Sequence, residues 1–425
     1  MKFGFFMMPS HSHRENPTLA FERDLGMIEY TESLGFDEFW VGEHHTGGWE
    51  TIPAPDIFLA SAGARTKRIR LGTAVINLSY HHPFDVAERM AFLDHLTYGR
   101  VMLGCGPGIL APDVKLFGLD PTELRPMMNE SLDIILKLYR EDGLISYEGN
   151  YWQIKDMEVQ VKPYQLPHLP VFTVSSGSGN SIRVAAERGL GVISGAFTQP
   201  GAIDITQQWK SYEQQSVAAG HTPNREDWRL STSIYVADSM DEALNDVSQG
   251  IMTEIREYFF NNGGKPTYEA YPGQPAEEIT VEQIIKQRNW IIGDPDYCIS
   301  KIKELEEATG GFGGLLMVAV EWTTSEKWNR SLELFARYVM PQFKGSLRGI
   351  QGSYDRMIED NRLGLLPTAR SGSIRVDGRA AGGLIPPTPL YERGTLLGRT
   401  PTPTAAASGL ERPAASPRKC SWTSR

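Results

Sequence analysis

Apolar residues along this chain gather in short runs separated by longer stretches in which they recur every three or four positions, an alternation of buried strands with one-sided helices. The first run, 2–6, predicts a strand, and Leu19, Phe21, Leu25, Met27, Ile28 and Tyr30 mark the core face of a helix over 18–34. The aromatic and branched run Phe36, Phe39, Trp40, Val41, bounded by Gly35 and Gly42, predicts strand two. A short helix over 56–64 then leads to strand three at 69–76, a helix opened by His82-Pro83 through Leu96, and strand four at 101–104. A long loop, 105–124, precedes a strongly periodic helix at 126–139 and a small hairpin at 143–161. Strands five to seven follow at 169–175, 191–194 and 230–236, with helices from 176 to 188, after Pro200 to about 218, and from Asp241. Helices at 281–290 and 295–308, strand eight at 315–320 and an amphipathic helix at 325–338 complete the series. Eight strands alternating with helices predict a (β/α)8 TIM barrel.

Two stretches break the alternation. Residues 261–278 carry Gly263, Gly264, Pro266, Pro272, Gly273 and Pro275, the composition of a mobile lid or a disordered stretch. From about Leu363 the chain is rich in proline, glycine, alanine and arginine, with nine basic and three acidic residues, and is expected to be disordered. The expected organisation is a barrel domain over 1–345, a helical extension over 346–362 and the tail over 363–425.

Charge and cysteine usage narrow the function. The net charge of −10 excludes a nucleic-acid partner for the body of the chain, which has no basic run. Cys105, Cys298 and Cys420 lie at no metal-knuckle spacing. No apolar run is long enough for a membrane span or a signal peptide, so a cytoplasmic protein is expected.

Candidate chemistry sits where strand two ends, at Glu43-His44-His45. One carboxylate and two imidazoles could be metal ligands, a base, or satisfied surface groups. Adjacent histidines on a strand point to opposite faces, which disfavours a metal hydrolase, and no metal site is expected. A second candidate is Ser176-Gly177-Ser178-Gly179-Asn180-Ser181 after strand five, where hydroxyls and free backbone N–H groups at a helix start suit a phosphate dianion.

Taken with Leu71-Gly72-Thr73-Ala74-Val75, His82-Pro83, Gly99-Arg100, Phe117-Gly118, the run Ala185 to Gly189, and Val339-Met340-Pro341, these residues resemble the bacterial-luciferase-like flavin monooxygenases over roughly 1–345. The resemblance implies a barrel that holds reduced FMN at the strand ends, reacts it with O2, and uses a 4a-peroxyflavin to oxygenate an organic substrate. It implies His44 as a catalytic base beside the flavin, its ordinary pKa lying near working pH. It also implies Glu43, Thr73, Ala74 and Val75 around the flavin, with a non-prolyl cis peptide at Ala74-Val75, and Arg125, Ser176, Gly177, Ser178 and Ser181 around the phosphate. At Gly104-Cys105-Gly106-Pro107-Gly108 the chain lacks the reactive cysteine and arginine of the light-emitting relatives and is closer to the limonene-hydroxylase branch. Cys105 is expected to be buried.

The expected system is the oxygenase of a two-component pair, fed by a separate flavin reductase, since no Gly-x-Gly-x-x-Gly fingerprint is present. The expected substrate is apolar: terpenoid, polyketide-like, or a long-chain aldehyde or ketone, held near Phe6, Met8, Trp40, Trp49 and Trp322. A homodimer through the helices around 56–64 and 84–96 is also implied. A deazaflavin-dependent oxidoreductase and a non-catalytic flavin-binding partner subunit are the alternatives.

Overall fold

The structure is a computed structural model and describes residues 1–175, 179–196 and 204–366. These fall within the first of the chain's two units, Met1–Thr368; the second, Ala369–Arg425, lies outside the described residues, as does nearly all of the expected tail. Eight parallel strands form a closed ring: β1 Lys2–Met7, β2 Glu38–Val41, β3 Arg70–Thr73, β4 Val101–Gly106, β5 Val171–Ser175, β6 Gly191–Gly195, β7 Trp228–Val236 and β8 Gly314–Ala319. Each pairs with its successor, and β8 returns to β1 in a register running from Lys2↔Gly314 to Met7↔Ala319. The predicted TIM barrel is therefore the observed fold.

Alternation along each strand divides the core in two. Phe3, Phe5, Phe39 and Val41 point outward into the large cluster shared with the helices. Trp40, Ala74, Met102, Phe172, Ile193 and Leu316 point inward and fill the barrel. Trp40 has room because the neighbouring strand carries Gly72, where an added Cβ would come within 2.1 Å of the indole. On the same inward face of β2, one layer toward the strand's N-terminal end, lies Glu38, fully buried. Arg229 from β7 meets it bidentately, with Nε 2.8 Å and Nη2 2.7 Å from its two oxygens, and Trp40 Nε1 donates to it at 3.1 Å. An ion pair and an indole thus close the barrel from below.

Several elements depart from the sequence expectations. Strand three stops at Thr73 and resumes only as Ile76–Asn77, and the peptide between Ala74 and Val75 is cis. The expected loop over 105–124 contains a helix, Ala111–Phe117, opened by Pro112 and ended by Gly118 with φ +65°. The helix expected over 281–290 ends at Arg288, where Asn289 takes a left-handed φ of 51°, and the branched pair Ile291-Ile292 begins a short strand beside β7. The 261–278 stretch is laced down: Tyr268 and Gln274 are buried, and Gln274 exchanges hydrogen bonds with Gln283 at 2.9–3.0 Å.

Candidate active site

Barrel strands end with their C-terminal residues at one mouth, so groups just past β2, β3 and β4 share a small volume. Ala74 N donates to Val41 O at 2.6 Å, which sets the cis peptide beside the strand end that carries Glu43, His44 and His45. The two histidines do take different partners. His44 Nε2 donates to Glu50 Oε2 at 2.8 Å while its Nδ1 lies 3.2 Å from Asp113 Oδ2. His45 Nε2 donates to Glu43 Oε1 at 2.8 Å, and His81 Nε2 donates to the same oxygen at 2.8 Å.

The first arrangement decides the charge of His44. Burial alone would lower the imidazole pKa, but the charge on Glu50 and the hydrogen bonds to both carboxylates outweigh it and raise the value to about 10. His44 is accordingly an imidazolium at neutral pH. With both nitrogens engaged by carboxylates, the ring is held as a donor toward Glu50 and Asp113. Its partners are themselves fixed. Asp113 accepts from the Thr46 hydroxyl and the His45 backbone, and Glu50 Oε2 also accepts from Tyr258 at 2.9 Å.

Glu50, Asp113 and Tyr258 were not singled out in the sequence. Asp113 was recoverable from the helix-start pattern Ala111-Pro112-Asp113, which lay inside a stretch read as loop. Glu50 and Tyr258 carry no such local signal, since Tyr258 reaches the site only through a π-helical turn, Ile255–Phe259.

The remaining predicted residues divide. Glu43 is committed to the scaffold: besides the two imidazoles, it accepts from Asn77 N at 3.0 Å. Glu43, His45 and His81 bring their ligand atoms within 4.8 Å of one another, in a cluster already closed by its own hydrogen bonds. The Thr73 hydroxyl donates to Gly104 O at 2.8 Å and receives Gly104 N, which joins β3 to β4 and leaves only its backbone for a ligand. Ala74 is buried and Val75 partly exposed at the mouth, packed beside Gly106. Arg125 is exposed in the first turn of the helix Leu124–Arg140, and Ser181 is buried in the first turn of Gly179–Arg188. Ser176, Gly177 and Ser178 lie outside the described residues. Cys105 is fully buried and its thiol is pushed up to about 12 by that burial, as expected of a packing residue.

Two observations fit a flat, polar-edged ligand at this mouth. Backbone and small side chains line the Thr73–Val75 turn, and the buried atoms Glu50 Oε1 and Tyr80 Oη have no hydrogen-bond partner among the described residues. Beside the mouth, a cavity of about 610 Å³ opens between Arg14, Trp49, Glu254 and Trp322. Trp49 and Trp322 line this cavity, whereas Trp40 is barrel core. The cavity is more polar than an apolar pocket, and burial pushes its Glu254 carboxyl up to about 7, against a 2.7 Å hydrogen bond from Trp322 Nε1.

A closed parallel barrel with its titratable groups gathered past the strand ends defines the class of (β/α)8-barrel enzymes. Within that class, the chain belongs to the luciferase-like monooxygenase family, whose profile matches residues 1–311. It is 39% identical over 365 residues to 4-hydroxyprotoasukamycin monooxygenase of Streptomyces nodosus subsp. asukaensis, covering 85% of this chain and 97% of that one. It is 35% identical over 361 residues to limonene 1,2-monooxygenase of Rhodococcus erythropolis, covering 85% and 91%. Among solved structures, the oxygenating constituent of 3,6-diketocamphane monooxygenase from Pseudomonas putida, in complex with FMN, superposes with a TM-score of 0.70 at 26% identity, over 80% of this chain and 98% of that one. The protein is an enzyme of the monooxygenase class. Among the described residues, no helix is long and apolar enough to cross a membrane.

The bracketing of His44 has a direct test. His44 keeps its proton through neutral pH and loses it as pH rises through about 10. Glu50→Gln removes one of the two charges that hold that proton. The alkaline limb of the kcat/KM profile is then expected to move down by about one to two pH units. An unmoved limb, or a His44 NMR titration unchanged by the substitution, would show that the bracket does not set the protonation state.

Proposed function

We propose that the protein is a reduced-FMN-dependent monooxygenase, the oxygenase of a two-component system in which a separate reductase supplies the flavin. The observation that supports this reading is His44 held between Glu50 and Asp113, at 2.8 Å and 3.2 Å, at the mouth beside the Thr73–Val75 turn. Thr73, Ala74 and Val75 would bed the flavin ring through backbone and small side chains, and Arg125, Ser176, Gly177, Ser178 and Ser181 would hold its phosphate. Reduced FMN, when bound, supplies the two electrons that let one oxygen atom of O2 enter the substrate while the other leaves as water. The chain's own part is to orient the ring, exclude water, and present the His44 proton where negative charge develops on oxygen.

The relatives and the cavity together support a reading of the substrate class. A terpenoid, polyketide-like or ketone skeleton would lie against Trp49 and Trp322, and a polar substituent would meet Glu254. The test is anaerobic titration with reduced FMN, followed by 18O2 and a panel of limonene, a bicyclic diketone and a long-chain aldehyde. Tight binding of reduced FMN and one labelled oxygen per product are expected. Absence of reduced-FMN binding, with binding of a reduced deazaflavin instead, would overturn the reading.

The protein is further proposed to be a homodimer through the helices Pro55–Arg65 and Pro83–Leu96, which leave Ile57, Phe92 and Leu96 more than half exposed. Phe92→Glu is expected to halve the mass in solution measured by light scattering. A mass unaffected by the charge would place the contact elsewhere.

A further inference from the structure

Glu254 closes the helix Met240–Glu254 and stands in the wall of the cavity of about 610 Å³, with only 6% of its surface exposed. A carboxyl buried to this degree is ordinarily matched by a cation or by several donors. Glu254 has neither. Its Oε2 accepts from Trp322 Nε1 at 2.7 Å, and its Oε1 has no hydrogen-bond partner among the described residues. No cation among them pairs with it, and the charge it feels is the negative one on Glu50.

The single donor is itself fixed. The Trp322 ring packs on Trp290 with centroids 4.8 Å apart. Its backbone lies so close under the helix that an added Cβ at Gly250 would come within 2.0 Å of Trp322 O. The carboxyl is therefore held through Oε2, and Oε1 is the oxygen left for whatever fills the cavity.

These surroundings decide the form the carboxyl takes. Burial and the Glu50 charge disfavour the anion, one neutral N–H favours it, and the balance lies at about 7. Below that pH the proton belongs on Oε1, the oxygen that accepts nothing, and a buried O–H without an acceptor is costly. We propose that Glu254 is the specificity-determining residue of the cavity: its Oε1–H donates to a carbonyl oxygen of the substrate, so that a ketone is selected over an alkene of the same shape. This rests on the cavity being the substrate site of the monooxygenase, and it names the substrate class within that reading. Tyr258, four residues on, donates to Glu50 in the His44 bracket, so a carbonyl held at Glu254 is anchored one helical turn from a residue of that bracket.

Binding of three matched probes to the full chain tests this: menthone, its alcohol menthol, and the hydrocarbon in which a methylene group replaces the carbonyl oxygen. Calorimetry without flavin keeps the outcome separate from whether FMN supports turnover. At pH 6 menthone is expected to bind about 10–100-fold tighter than the hydrocarbon. Raising the pH to 8.5 should weaken menthone by up to about 30-fold, since the acid loses its proton through about 7. Glu254→Gln, which keeps an N–H donor, should retain the preference and lose the pH step, whereas Glu254→Leu should lose the preference. The other charged groups lining the cavity are Arg14, Glu257, Glu321 and the Asp246–Lys327 ion pair. Burial also raises Glu321 to about 7, so a pH step that survives in Glu254→Gln would belong to Glu321 and overturn the assignment. Equal affinity for menthone and the hydrocarbon, binding of neither, tighter binding of menthol at pH 6, or a preference that survives Glu254→Leu would each overturn it as well.

Discussion

His44→Gln is expected to lower the yield of oxygenated product by about 10²–10³-fold, while the protein still binds reduced FMN and still consumes O2. The magnitude is that of losing one positioned proton donor. Glutamine is the informative replacement. It can keep a hydrogen bond to one carboxylate but can neither carry the charge nor release the proton. Alanine would leave Glu50 and Asp113 facing each other uncompensated and confound chemistry with folding. The expected signature is uncoupling: flavin oxidation continues, and the 18O label fails to appear in product. A second variant, His44→Gln with Glu50→Gln, removes the excess negative charge and should restore stability without restoring product. Product formation within about fivefold of the parent enzyme would remove His44 from the chemistry, since one catalytic proton transfer contributes at least 10²-fold.

Arg229→Met is expected to be the most destabilising single change of those considered. It strips the partner from Glu38, which is fully buried inside the barrel. Burial raises a carboxyl pKa, yet the Arg229 charge and its two hydrogen bonds hold Glu38 below the usual range, so the pair stays ionised. Breaking such a pair from one side costs about 3–5 kcal/mol. At about 2 °C per kcal/mol for a domain of this size, the melting temperature should fall by about 6–10 °C. Glu38→Leu with Arg229→Met, which removes both charges and fills the volume with apolar atoms, should recover most of the loss. The sign with pH follows from the lowered pKa. The stabilisation from Glu38 is present above its unfolded value and is lost as pH falls through the folded one, so the parent should lose its advantage over the double variant in acid. Equal melting temperatures for Arg229→Met and the parent would mean that water reaches the barrel floor.

The eight barrel strands were legible because each gathers branched or aromatic residues in a short run, most with a glycine or proline in or beside it, a pattern set by neighbours along the chain. What was not legible depended on partners distant in sequence. Strand three could not be seen to break at Ala74-Val75 from its apolar run alone; only the family resemblance pointed there. Glu38 reads as one polar residue in an apolar strand, and its meaning comes from Arg229, 191 residues away. His44 was found from its position at a strand end. Its hydrogen-bond partners were not legible, since Asp113 and Glu50 approach from segments whose meeting is a property of the closed barrel. Glycine and proline content marks the 261–278 stretch as a break in the alternation but does not reveal the hydrogen bonds of Gln274 with Gln283 and of Arg288 with Thr267, which join it to the helix Val281–Arg288.

The groups around the His44 proton come from three different connections: Glu50 from the one after β2, Asp113 from the short helix after β4, and Tyr258, which donates to Glu50, from the turn following the helix Met240–Glu254. Connections of this kind are the parts of a barrel enzyme most readily exchanged when a lineage acquires a new substrate, or when an engineer grafts one. In this enzyme such an exchange would not be chemically silent. A transplanted loop that reshaped the cavity would also carry away a carboxylate that holds the imidazole, or the phenol that positions that carboxylate. Selection for a new substrate would then shift the working pH and the coupling efficiency in the same step, so that evolvability here is limited by shared wiring, with the barrel itself left intact.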